Sequence, residues 1–132
     1  MFYRTLTREA IQQSRPFEKV EVDVSELGNV DPATGERERT TVFVRELSVR
    51  EKSEFEMILN GKRKHDKNFR SQLLIAACCD ADGFPIFRPE DAKYINQQPL
   101  KVIERICDAA RKINDMLLEH ERDVDEEEQV KN

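Results

Sequence analysis

The pattern of apolar and polar positions changes its period along the 132-residue chain. A short helix is predicted over 5–13, because Leu6, Ala10 and Ile11 place apolar groups on one side of it, and Pro16 ends it. From residue 17 onward the period becomes two, since valines alternate with charged residues up to Val24. This alternation is typical of a strand with one buried face, and it predicts a strand that begins near Glu18.

A second alternating run, rich in β-branched residues, covers 39–45, and turn-forming residues crowd the segment 28–35 between the two runs. The two runs predict a β-hairpin over 17–46 with a long, mobile loop. A two-stranded hairpin is marginal alone in water, so its apolar face must pack on helices or on further strands. Those strands can come from this chain or from another one.

Helical spacing dominates the rest of the chain. Ser48 and Glu51 form a capping box that predicts a helix over 49–59, and Gly61 can end it in the left-handed conformation. A second helix is predicted from about residue 66 to a turn at 80–83. The longest helix follows Pro99, and its apolar stripe consists of Leu100, Ile103, Ile106 or Cys107, Ala110, Ile113 and Leu117.

These elements predict an α+β fold class with a single domain over 1–118. An N-terminal helix (1–16) precedes the β-hairpin (17–46), which packs against a mainly helical part (47–118). After residue 118 the apolar period fails, so residues 119–132 are predicted to form an acidic, disordered tail.

The net charge of −5 resides in that tail, because residues 119–132 hold seven acidic and two basic residues. The rest of the chain is neutral, with 20 acidic and 20 basic residues. Because the chain is neutral outside its tail, binding to nucleic acid is not expected, since it requires a basic surface. The chain contains no apolar run near the ~18 residues of a membrane span and no signal-peptide core. We therefore expect a cytoplasmic protein without a membrane partner.

The cysteines offer no catalytic or metal-binding pattern. Cys78, Cys79 and Cys107 are odd in number and lack zinc or disulfide spacing, so they are interpreted as free, buried thiols on helices. A cysteine nucleophile needs a neighbouring base, and the only histidines, His65 and His120, lie in a basic linker and beside the acidic tail. The chain is predicted to be non-enzymatic, with no cofactor.

Partner contacts are predicted at a basic linker, at the acidic tail and on the outward faces of two helices. The linker suits an acidic surface, including another copy's tail, but is alternatively a solvated linker at the end of a helix dipole. The tail is alternatively a solubilising end, and the helix stripes alternatively form ordinary core. The candidate partner-binding residues are Phe55, Ile103, Lys62, Arg63, Lys64, Asp125, Glu126, Glu127 and Glu128.

Short motifs follow one another in a fixed order over about residues 42–132. They are Val44-Arg45-Glu46-Leu47-Ser48, Asn68-Phe69-Arg70 with Leu73-Leu74, Cys79-Asp80-Ala81-Asp82-Gly83, Glu104-Arg105-Ile106 up to Ile113-Asn114, and the end at Lys131-Asn132. This series resembles the tail assembly chaperones of long-tailed bacteriophages (siphophages) and prophages. That family shows a "VREL" strand end, an "NFR…LL…CDEDG…LF" block, an "ERLFDAALRLN"-like helix and a "VEEAEKN"-like terminus.

The resemblance implies a function. Such a chaperone binds the long, helical tape measure protein, keeps it soluble and helps recruit tail tube subunits. It acts in the cytoplasm of the bacterial host and is absent from the mature virion. In many relatives a programmed frameshift yields a longer product whose extra domain contacts the tube protein, and this chain resembles the shorter, non-frameshifted form. Self-association into a homo-oligomer is left open. The alternative is a minor tail or head–tail joining protein that stays in the virion.

Overall fold

The computed structural model describes residues 3–61 and 68–116. It confirms the α+β class. Along the chain the elements are α1 (Arg8–Gln12), β1 (Lys19–Asp23), β2 (Thr41–Arg45), α2 (Val49–Asn60), α3 (Phe69–Ala77), β3 (Cys78–Cys79), α4 (Ala92–Ile95) and α5 (Leu100–Ile113). Short 3₁₀ turns at Ser25–Leu27 and Pro89–Asp91 lie within the connections.

The sheet has three antiparallel strands in the order β1-β2-β3. The predicted hairpin is confirmed, with Val20 opposite Val44 and Val22 opposite Val42. The expectation that both vicinal cysteines lie on a helix is wrong, because Cys78 leaves the helical conformation (φ −73°, ψ 133°) and the pair forms β3 beside β2. Cysteine has a weak helix preference, so pairing with a neighbouring strand and complete burial decide its conformation.

Side-chain caps set where the helices begin. The capping box of α2 is confirmed, since the Glu51 N–H donates to Ser48 Oγ at 3.1 Å and the Ser48 N–H donates to Glu51 Oε1 at 3.0 Å. Asn68 accepts from the N–H groups of two following residues, so α3 begins at Phe69. The left-handed conformation expected at Gly61 is wrong, because its φ is −75°. A Cβ there would lie 2.6 Å from the Met57 carbonyl oxygen, so glycine permits this close approach.

The core lies where α5 packs on β1, β2 and α3, and where α2 packs on α3. The predicted stripe of α5 is largely confirmed, because Ile103, Ile106, Cys107 and Ala110 are buried and Ile113 is half-buried. Val102, which the stripe does not include, is buried as well. Leu100 is exposed instead, because the buried face of α5 begins at Val102. Leu117 and the acidic tail lie outside the described residues. Among the described helices, none has both the length and the apolar character needed to cross a membrane.

Candidate partner-binding surfaces

Several residues of the motif series hold the fold together from inside. The Arg45 guanidinium forms a forked ion pair with Glu51, with Nη1 to Oε1 at 3.0 Å, and also reaches the Ala76 carbonyl oxygen at 3.5 Å. Hydrogen bonding from Arg45 lowers the pKa of Glu51 to about 2. Arg45 therefore connects β2 to α2 and to the end of α3.

Asn114 connects the end of β2 to the end of α5. Its Oδ1 accepts from the Leu47 N–H at 2.7 Å, and its Nδ2 donates to the Arg45 carbonyl at 3.2 Å and to the Ala110 carbonyl at 3.0 Å. One amide thus satisfies three backbone groups that lie where two elements end. This explains physically why an asparagine stands at that point of the motif.

A buried cation joins α3 to α5. Arg111 is almost fully buried, its guanidinium lies 3.2 Å from Asp108 and 3.7 Å from Glu104, and it sits over the Phe69 ring at 5.2 Å. Glu104 also pairs with Arg70. Removing an acidic partner would leave the buried Arg111 guanidinium as a desolvated, unpaired charge, so this network stabilises the packing of α3 on α5.

The cysteines are free and buried, as expected. Burial raises the pKa of Cys107 to about 12 and also raises the pKa values of Cys78 and Cys79. Thiols with such pKa values stay protonated near neutral pH. The nucleophilic form of cysteine is the thiolate, so these three side chains are unreactive. Within 3–61 and 68–116, no group of three or more His, Cys, Asp or Glu residues could hold a metal ion.

The predicted partner-binding residues fall into two groups. Phe55 and Ile103 are 3% and 6% exposed and belong to the core, and Phe55 packs edge to face on Phe69 at 5.5 Å between ring centres. The large apolar side chains that their helices do present outward are Val49 and Met57 on α2 and Leu100 on α5. The charged candidates, which lie outside the described residues, are Lys62, Arg63, Lys64, Asp125, Glu126, Glu127 and Glu128.

The N-terminal arm, defined as residues 3–17, has an uncovered apolar surface. Its helix α1 is capped by Thr7, whose Oγ1 accepts from the Ala10 N–H at 3.1 Å, but no residue of α1 is buried. The four large apolar side chains of the arm are 46% to 96% exposed, and they are Tyr3, Leu6, Ile11 and Phe17. Single exposed apolar residues are ordinary on protein surfaces. A segment that exposes every large apolar side chain is a candidate contact surface.

A groove runs between edge strand β1 and helix α5. It has a volume of about 620 Å³, and its apolar lining consists of Val20, Val22, Ala109 and Ile113. Val20 is 41% exposed, although its alternation with Val22 predicts burial. Arg105 lies at one end, where it donates to the Asp23 carbonyl at 2.8 Å and pairs with Glu26. Sequence reasoning did not identify this groove, because it depends on how α5 lies beside the sheet.

The described part of the chain therefore defines an α+β fold with an antiparallel sheet, a helical layer and two apolar surfaces open to solvent. Its fold is similar to the solved structure of the bacteriophage HK97 tail assembly chaperone. The TM-score is 0.53 at 18% sequence identity, and the similarity covers 84% of this chain and 94% of that chain. At this identity the similarity shows a shared fold. No protein-family model matches the chain, and no curated protein matches it in sequence.

Proposed function

We propose that this chain is a tail assembly chaperone of a long-tailed phage or prophage. In this proposal it binds the tape measure protein in the bacterial cytoplasm, keeps that protein soluble and is absent from the finished virion. Recruitment of the tail tube protein then belongs to a longer frameshift product. The observation that carries the proposal is the fold shared with the HK97 chaperone over 84% of this chain. The order of motifs over 42–132 supports it independently.

The N-terminal arm is the surface that best suits a tape measure partner. No other part of the chain that the structure describes covers its large apolar side chains, and a helical partner carries apolar stripes that can pack on them. Four apolar side chains on a short segment offer a small interface, which suits a complex that must dissociate during assembly. The exposed side chains of Val49 and Met57 on α2 and of Leu100 on α5 are further candidate contacts.

Co-expression with the tape measure protein encoded beside it tests the function. A chaperone raises the soluble fraction of the tape measure protein and co-purifies with it. Unchanged solubility together with no co-purification would contradict the proposal. A chain truncated after residue 118 is a control for charge effects, because it lacks the acidic tail. If the arm makes the contact, the truncated chain should still raise the soluble fraction of the tape measure protein.

The outer edge of β1, with which no strand in 3–61 or 68–116 pairs, favours one alternative, a minor tail or head–tail joining protein that stays in the particle. A free strand edge can extend a sheet from one subunit to the next. Mass spectrometry of purified particles separates the two functions. We expect the chain to be absent, whereas a fixed copy number per particle would support the joining protein instead.

A further inference from the structure

The outer side of β1 carries backbone groups that no strand among the described residues pairs with. The Val24 N–H donates to the Thr40 carbonyl at 2.8 Å, and the Glu46 N–H donates to the Glu18 carbonyl at 2.9 Å. Antiparallel ladders alternate, so even-numbered residues of β1 bond to β2 and odd-numbered residues direct their N–H and C=O groups outward. Arg105 reaches the Asp23 carbonyl from that outer side, which agrees with this assignment.

The opposite edge of the sheet is already covered. After β3 the chain turns back, so that the Asp80 N–H donates to the Phe84 carbonyl at 2.9 Å and Cys79 forms a bridge with Pro85. A proline offers no N–H to a further strand. Within the described part of the chain, the outer edge of β1 is therefore the edge at which the sheet can add a strand.

The side chains of β1 are complementary to a second copy of themselves. Lys19 and Glu21 lie on one face of the strand, and Val20 lies on the other. When two β1 strands run antiparallel with Val20 opposite Val20, each Lys19 faces the Glu21 of the second copy. In this register the odd-numbered residues of the two copies lie opposite each other. Their outward N–H and C=O groups can then form hydrogen bonds between the two strands. It also covers the exposed Val20 on the groove side, next to Ala109 and Ile113.

We propose that the β1 edge is a two-fold interface between copies of this chain, which joins two three-stranded sheets into one sheet of six strands. The same patch serves both copies, so the contact is closed. Because β3 is covered at the other edge, assembly through the sheet stops at the dimer. This inference is independent of the tape measure partner.

Charge exchange at Lys19 and Glu21 tests the interface. Sedimentation velocity of the full chain should show a dimer. Lys19→Glu and Glu21→Lys each place like charges opposite each other twice, so each variant alone should raise the dimer dissociation constant at least about tenfold. An equimolar mixture of the two variants should recover the dimer, because an acidic edge then meets a basic edge. A damaged fold cannot produce that recovery.

Several results would overturn the interface. A wild-type chain that stays monomeric at all accessible concentrations would do so, as would single variants that dimerise as the wild type does. A mixture that stays monomeric although circular dichroism shows both variants folded would also reject it. Protection of the Glu21 amide from hydrogen exchange in the monomer would mean that another segment of the chain already covers the edge.

Discussion

The N-terminal arm and the body of the protein, residues 41–61 and 68–116, place their apolar residues differently. In the body, Leu73, Leu74 and Val102 are almost completely buried, and even the guanidinium groups of Arg45 and Arg111 lie inside with acidic or carbonyl partners. In the arm every large apolar side chain faces solvent. The body is thus held together by its own core, whereas no other part of the described chain covers the apolar residues of the arm.

The largest expected effect is a core truncation in the body. Leu73 is fully buried in the main cluster, so Leu73→Ala should lower the free energy of unfolding by about 2–5 kcal/mol. Urea denaturation followed by circular dichroism measures this change. A loss below about 1 kcal/mol would show that the body is loosely packed and would weaken the contrast with the arm.

The ion pair between Arg45 and Glu51 makes stability depend on pH. The folded pKa of Glu51 is about 2, below its ordinary value of 4.5, so its contribution is complete above about pH 4.5 and is lost as the pH falls towards 2. Glu51→Gln should cost about 1–2 kcal/mol near pH 6 and flatten the stability curve between pH 4.5 and 2. Urea midpoints over that window check this. An equally steep curve in the variant would assign the acid sensitivity to other carboxyl groups.

The cap of α2 should have a smaller effect. Ser48→Ala removes the acceptor for the Glu51 N–H, and we expect a loss of about 1 kcal/mol in thermal or urea unfolding. Ser53→Ala is the matched control, since Ser53 is exposed within the same helix and alanine is the better helix former. Equal losses in both variants would mean that the cap is not what stabilises this end of α2.

The smallest effect is expected in the arm. Leu6→Ser combined with Ile11→Ser should change the free energy of unfolding by no more than about 0.5 kcal/mol, because both side chains are exposed. Urea denaturation again provides the measurement. A loss above about 1 kcal/mol would show that the arm packs on its own body in solution, and the comparison would then fail.

Local signals predicted much of the fold. Alternation located β1 and β2, and the Ser48–Glu51 box located the first turn of α2. β3 could not be predicted in this way, because its two cysteines are extended only through pairing with β2, a contact distant in sequence. Val20 follows the strand pattern, yet it stays exposed because β1 is an edge strand.

The candidate site was harder to predict. Apolar stripes predict Phe55 and Ile103 as contact residues, but the structure places both side chains in the core. Periodicity shows that α1 has an apolar side but not whether the chain covers it. One feature of the sequence does indicate that α1 stays exposed. Pro16 separates this short helix from the first strand, so few neighbouring elements can cover it. The predicted charged contacts, at 62–64 and 125–128, lie outside the described residues and stay predictions.

Soluble yield of the co-expressed tape measure protein tests the proposed chaperone function most directly. Three forms of the chain should be compared: the wild type, the arm variant with Leu6→Ser and Ile11→Ser, and Phe84→Ser. Phe84 is a matched control, since it is 67% exposed against 69% and 70% for the two arm residues. We expect the wild type and Phe84→Ser to raise the soluble fraction and the arm variant to lose the effect. An arm variant as effective as the wild type would contradict the role of the arm, and no effect from any form would contradict the chaperone function itself.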